Sequence, residues 1–378
     1  MASWTRGFAV AAETIVRLPD LEDMTVDEVF ASLAPRPPRG GVLGGTGLVL
    51  LGLLGSYLAL GPLGRMPGIA KVPFFVLSVY AIIRGIDVVC KTIWGPRFDT
   101  GLWLCVVWLV LLGLAAVLAD FLPLTEHVNT VKSIAETGNH RPDFFSRHPL
   151  GSNNFSLDLL AQSIYAARVS VGTAILAVLI AVILGSVIGM AAGYFRRGVD
   201  LVVGIATDSV LSVPALLLLI AVITVIGRPK APVEAVWKMG LTLAIVAVPV
   251  MVRLARANTM VFAQREFVLA ARAMGASNRR IIFREIMPNV ALPVLSYSFI
   301  IIATLIVAEG SLSFLGIGLK QPNPTWGNMI AEGQVSTVLR KYPHIALVPG
   351  FVMFLTVFSF NRVGEKFRSL WDQRDAKL

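Results

Sequence analysis

Eight stretches of the chain are too apolar and too long for a water-soluble core: about 42–60, 72–90, 101–123, 169–195, 201–226, 236–252, 290–313 and 344–361. A helix needs roughly 20 predominantly apolar residues to cross a hydrocarbon core of about 30 Å. The runs therefore predict an all-α, multi-spanning integral membrane protein, a helical bundle of about eight transmembrane helices. Composition agrees, since 56% of the residues are hydrophobic and only 15% charged, whereas about 25% of an ordinary soluble domain is charged. Within 72–90, Arg84 and Asp87 lie one helical turn apart. An isolated charge at a helix centre costs roughly 2.5–3.5 kcal/mol, so either the two pair or that helix emerges early.

The net charge is +10. No aromatic-and-basic module or zinc spacing accompanies it, so a nucleic-acid partner is not expected. Basic loops facing a negatively charged leaflet, with membrane lipids as the neighbours, account for it better. If residue 1 is cytoplasmic, 21 of the 33 Lys and Arg residues fall inside, and both termini are cytoplasmic. Cys90 and Cys105 lie in or beside apolar runs and read as small hydrophobes. His127, His140, His148 and His344 occur singly, with no helical pair suited to zinc, so no metal site is expected. No Gly-rich Lys-Ser/Thr loop is present to cradle phosphate, so no cofactor is expected in this chain. No cleavable signal peptide precedes the first long apolar run; residues 1 to 41 are of mixed charge and end in the linker "APRPPRGG". They suit a cytoplasmic segment, as a surface-lying amphipathic helix or a tail.

The remaining polar segments lie between spans. Residues 125–168 form the longest and are expected as an external loop, and "GLKQPNPTWGNMIAEG" (318–333) is expected as a second. The 253–289 interruption gathers Arg253, Arg256, Arg265, Arg272, Arg279, Arg280 and Arg284. From Arg265 to Met274 it suits a helix, with Phe267, Ala270 or Ala271, and Met274 on one face. The two alanines are expected to leave that face flat enough for a partner to approach. Gly275 fits a left-handed helix end, Ser277 or Asn278 can cap a second short helix over 279–287, and Pro288 is expected to end it.

The segment "LAARAMGASNRRIIFREIMPN" (269–289) resembles the cytoplasmic coupling loop of ABC importer permeases. Its pattern there is Glu-Ala-Ala, three residues, Gly, nine residues, Ile, one residue, Leu-Pro. Ala270, Ala271, Gly275 and Pro288 match, while Leu269, Glu285 and Met287 replace Glu, Ile and Leu. Two further segments resemble the C-type permeases of dipeptide and oligopeptide importers. In "AEGSLSFLGIGLKQPNPTWGNMIAEG" (308–333) the matching residues are Glu309, Ser313, Phe314, Leu315, Gly316, Gly318, Pro324, Trp326 and Gly327. In "HPLGSNNFSLDLLAQSIYAARVSVGTAI" (148–175) they are Leu150, Gly151, Asp158, Tyr165, Ala167 and Arg168. Ser152, Asn153, Ser156, Leu157, Gln162 and Ala166 depart from the pattern and thin its usual charges.

The resemblance covers about 101–365 and implies the permease core. Its first helix would be 101–124 and the rest 169–361, with the coupling loop at 253–289, an external segment at 314–343 and a cytoplasmic tail at 362–378. The two helices of 42–100 fall outside the usual six. What the resemblance further implies is a permease of the bacterial cytoplasmic membrane, forming half of a pathway for di- or oligopeptides. It would pair as a heterodimer with a second homologous permease and receive solute from an extracytoplasmic substrate-binding protein. Cytoplasmic ATPase subunits would hold ATP and Mg and grip Leu269, Ala270, Ala271, Gly275, Ala276, Ser277, Arg284 and Pro288. The chain itself would be no enzyme. Nickel chelates or another small solute remain alternatives to peptides.

Two polar residues keep two readings each. Asp208 would line the pathway or sit at the cytoplasmic interface, and Glu309 would shape an external gate or cap neighbouring backbone. An ATPase-independent secondary transporter should show internal repeats and broken helices. An intramembrane protease or lipid-modifying enzyme needs convergent Ser/His or paired carboxylates. Neither pattern is recognisable in the sequence.

Overall fold

A computed structural model describes residues 41–60, 68–95, 98–130, 138–143 and 146–375. The expectation for residues 1–40 lies outside these. Among the described residues the protein is helical, and the only β pairing is an isolated antiparallel bridge between Ser152 and Asp158. The chain divides into two compact units, Met1–Gly101 and Leu102–Leu378.

In the first unit, α1 (Gly41–Leu60) and α2 (Gly68–Trp94) form an antiparallel hairpin. Their backbones meet at glycine: a Cβ on Gly45 would stand 2.9 Å from Gly85 O and 2.6 Å from Val89 Cγ2. Small residues that allow such approach are the common device for joining helices in lipid. Asp87 is indeed paired, but more closely with Lys91 (2.8 Å) than with Arg84 (3.7 Å). Cys90 and Cys105 are both free thiols.

The second unit contains α3 (Thr100–Val117) from its third residue onward, α4 (Leu159–Phe195), α5 (Arg197–Ser212), α6 (Ala215–Ile226), α7 (Pro232–Phe262) and α8 (Glu266–Ala273). It continues with α9 (Asn278–Phe314), α10 (Trp326–Gly333), α11 (Ser336–Lys341) and α12 (His344–Asp375). Five of these, α3, α4, α7, α9 and α12, are long and apolar enough to cross a membrane, and α5 with α6 reach that length and apolarity only together, as a bent pair. The centre is the pairing of α4 with α7. Ala174, Ala177 and Ala181 face Leu243, Ala247 and Met251 without solvent exposure above a few per cent. Large apolar side chains on α3, such as Trp103, Val110 and Leu111, stay exposed, as lipid-facing positions do.

Four expectations need correction. The 201–226 run is not one straight helix: α5 and α6 meet at 94°. Pro214 lacks the N–H that a continuous helix would use there, and it holds Val213 in an extended conformation (φ −82°, ψ 132°). Second, the long polar segment ends earlier than 168. Asp158 is extended, and its side chain accepts from Ala161 N at 2.8 Å, which starts α4 at Leu159. Third, 318–333 is not all loop, because Thr325 and Asn328 form a reciprocal capping box that opens α10. Fourth, Pro288 does not end the helix after the arginine-rich turn. A wide π-turn over Ile281–Ile286, in which Met287 N bonds back to Ile282 O, shifts the ladder ahead of the proline, and α9 runs on through it.

Candidate functional site

The residues singled out in the sequence gather at opposite ends of α4 and α9. At one end, α8 carries Glu266 in its first turn and Arg272 in its last, both signs suiting the helix dipole. It closes with paired bonds from Gly275 N to Arg272 O and from Ala276 N to Ala271 O, each at 3.0 Å. This is a Schellman ending, and it places Gly275 at φ +81°. A Cβ there would meet nothing within 4 Å, so the backbone angle rather than space calls for glycine. Ser277 then caps α9, its side chain facing Arg280 N at 3.5 Å. Ile281 and Ile286 are fully buried beneath the turn, while Arg284 and Pro288 are exposed.

The two alanines do not share a face. Ala271 is buried with Val268, whereas Ala270 is exposed beside Phe267, Leu269 and Met274. Consecutive helical residues are about 100° apart, so a pair can serve as one inward and one outward contact. The outward surface is therefore Phe267, Leu269, Ala270 and Met274, the last 82% exposed. The seven arginines also divide. Arg253 reaches Asp208 Oδ1 at 2.7 Å, and Arg256 grips Asp200 through two hydrogen bonds, so both tie α7 to α5. Asp208 is thus an exposed ion-pair partner. Arg272 turns to Tyr194, and Arg265, Arg279, Arg280 and Arg284 are exposed around the turn.

At the other end, Glu309 is fully buried; Ser313 donates to its Oε1 at 2.6 Å. A second Schellman ending, Gly316 N to Ser313 O and Ile317 N to Leu312 O, closes α9 with Gly316 at φ +73°. Pro324 is buried just ahead of α10, and Trp326 is fully buried against α4, its indole N–H donating to Ser163 O at 3.0 Å. Gly327 packs so closely on Gly310 that no Cβ fits. Phe314 and Gly327 share an apolar cavity of about 320 Å³ with Leu216, Val307, Ile330 and Met353.

The 148–168 residues build a clamp rather than an open polar site. Gly151 takes φ +86°, and Asp158, 2% exposed, meets His148 Nδ1 at 3.1 Å. Arg168 binds the carbonyls of Ala116 and Val117 at the end of α3 and the Asp120 carboxylate at 2.9 Å. Tyr165 donates to Asp120 at 2.9 Å while its ring stacks on His127. The Arg168 hydrogen bond, then that of Tyr165, holds the Asp120 carboxyl below its usual range. Partial burial lowers His127. Most donors of Arg168 are thus engaged in joining α3 to α4.

Sequence reasoning missed Glu332. It accepts from Asn154 N (3.2 Å), Asn153 Nδ2 (3.2 Å) and Gln321 Nε2 (2.8 Å), fastening the 148–158 loop to α10. Burial nevertheless pushes its carboxyl above the usual range. A lone acid in a segment otherwise rich in Pro, Gly and Asn was the available signal. Among the described residues, no three His, Cys, Asp or Glu side chains gather closely enough to hold a metal ion.

A short helix lies at each end of the long helices α4 and α9, α8 beside Tyr194 and α10 beside Ser163. Residues 181–373 match the family of binding-protein-dependent transport system inner membrane components. The chain belongs to this family. A dipeptide transport system permease protein of Alkalihalophilus pseudofirmus is 32% identical over 273 residues, covering 72% of this chain and 86% of that protein. A glutathione transport system permease protein of Pectobacterium atrosepticum is 33% identical over 229 residues, covering 61% and 73%. Another of that description, from Escherichia coli O6:K15:H31, is 33% identical over 228 residues, covering 60% and 73%. The protein is therefore an ABC importer permease of the peptide family, a multi-pass protein of the inner membrane.

Proposed function

We propose that this permease forms half of the translocation pathway for a dipeptide or a glutathione-type solute, and that α8 with its turn docks into cytoplasmic ATPase subunits. The observation that carries the reading is the hydrogen-bonded α8–Gly275–α9 turn, which presents Phe267, Leu269, Ala270 and Met274 outward while Val268, Ala271, Ile281 and Ile286 are buried inward. A partner pushing on that surface moves α7 and α9 directly, because the unit is continuous with both. The ATPase pair supplies ATP and Mg chemistry. A second, homologous permease completes the pathway, and an extracytoplasmic binding protein delivers solute to the end formed by Glu309–Gly333 and Gly151–Arg168. Both chain termini then lie in the cytoplasm, in keeping with the excess of arginine around α8.

Gly275→Val tests the docking unit. Valine at φ +81° is strained by an amount on the order of 1–3 kcal/mol, although space for it exists. In proteoliposomes holding the full complex, ATP hydrolysis should continue while uptake of a labelled dipeptide or glutathione per ATP falls at least about tenfold. Uptake at the wild-type ratio would remove the proposed role of this turn.

A further inference from the structure

Tyr194 stands one residue before the end of α4, partly buried against the core. Its hydroxyl donates to Asn278 Oδ1 at 2.8 Å and accepts from Arg272 Nη2 at 3.4 Å, and the Arg272 guanidinium lies 5.8 Å from the ring centroid. Arg272 belongs to the last turn of α8, and Asn278 is the first residue of α9. One phenol oxygen thus bridges the two arms of the glycine turn and pins both to a third helix.

That helix reaches the opposite end of the molecule. At about 1.5 Å per residue, its 37 residues extend roughly 55 Å. Near its start, Ser163 O and Ser170 Oγ receive the indole and backbone N–H groups of Trp326, the first residue of α10. Between these points α4 lies hard against α7: a Cβ on Gly189 would stand 2.8 Å from Ala255 Cβ and 2.9 Å from Arg256 N. Such contact leaves little room for the two helices to slide independently.

We infer that Tyr194 is a positioning residue that makes α4 move with the α8 turn, so that displacement of the turn reaches Trp326 and α10 through a single helix. The inference rests on the proposal that an ATPase docks on α8. Without the hydroxyl, α4 loses its hydrogen bonds to both arms of the turn and keeps the stacking of the Tyr194 ring with Arg272.

The test uses the full transporter in proteoliposomes, with Cys90 and Cys105 replaced by alanine and nitroxide labels at Met274→Cys and Lys320→Cys, both exposed positions. The distance between labels is measured by electron spin resonance before and after trapping with ATP and vanadate. Tyr194→Phe keeps the ring and should leave ATPase capture and basal hydrolysis unchanged, while reducing the trapping-induced distance change to less than half. Asn278→Leu should do the same. The double variant should be no worse than Tyr194→Phe alone, because that substitution already removes the bond that Asn278 accepts. Asn278→Asp, which keeps the acceptor, should restore the wild-type change. A full distance change in Tyr194→Phe overturns the inference alone, whereas failure of the unsubstituted permease to capture an ATPase overturns the docking reading and this inference together.

Discussion

Leu269 is 51% exposed on α8, between Arg265 one turn before and Arg272 one turn after, at the position where the family pattern has glutamate. A leucine there offers a partner apolar area rather than charge. We expect Leu269→Glu to weaken retention of the ATPase by at least about tenfold, since burying a carboxylate in place of leucine costs more than the roughly 1.4 kcal/mol to which a tenfold change corresponds. Tighter retention in a pull-down titration would instead show that the groove is built for an acid. Glu332 is held by donors from Asn153, Asn154 and Gln321. Its proton affinity is higher in the folded chain than in the unfolded one because burial outweighs its three hydrogen bonds. The folded clasp is therefore most stable below the ordinary carboxylate range and loses that contribution as pH rises through the elevated value. Amide exchange over 148–158 should become less protected as pH rises, after correction for intrinsic exchange. Glu332→Gln should flatten that trend and lower protection overall by on the order of 1 kcal/mol, because its amide hydrogens confront the Asn153 and Gln321 donors. A trend that persists in Glu332→Gln would assign the effect to another group.

Among the elements, apolar run length located every long helix of the second unit, because crossing lipid demands both length and apolarity. Direction was less legible. Hydropathy counts Val210 through Leu216 as one apolar stretch, and only the backbone limits of Val213 and Pro214 turn the chain by 94°. Nor did the alanine pair reveal which member faces inward; that depends on α9 supplying Ile281 and Ile286 beneath α8. The Thr325–Asn328 box was obscured because asparagine stands where Glu or Gln marks the usual pattern. No residue of α5 is buried, and Arg256–Asp200 with Arg253–Asp208 are its side-chain ties to α7. Asp200→Ala should loosen α5 by about 1 kcal/mol, the scale of a partly exposed ion pair. Faster amide exchange over 197–212 checks this, and unchanged exchange would mean that packing alone holds the helix.

Over the whole molecule, α4 connects two assemblies that the sequence showed only as separate motifs. The arginine-rich turn meets one end of it through Tyr194, and the Trp326 segment meets the other through Ser163 and Ser170. Long-range contacts of this kind have no periodic signature: Tyr194 reads as the polar tip of an apolar run, and Arg168 as a charge in a loop. The hairpin of α1 and α2 closes at Gly45 and Gly85, and its residues precede the 181–373 family match. The proposed coupling depends on contact between α8 and an ATPase. A photoreactive benzophenone attached at Met274→Cys, in inside-out vesicles from cells carrying the full transporter, measures that contact most directly. The expected product is one cross-linked band containing this permease and a nucleotide-binding subunit. A transport-active preparation whose label reaches only lipid, or that reacts equally well from the opposite face of the membrane, would contradict it.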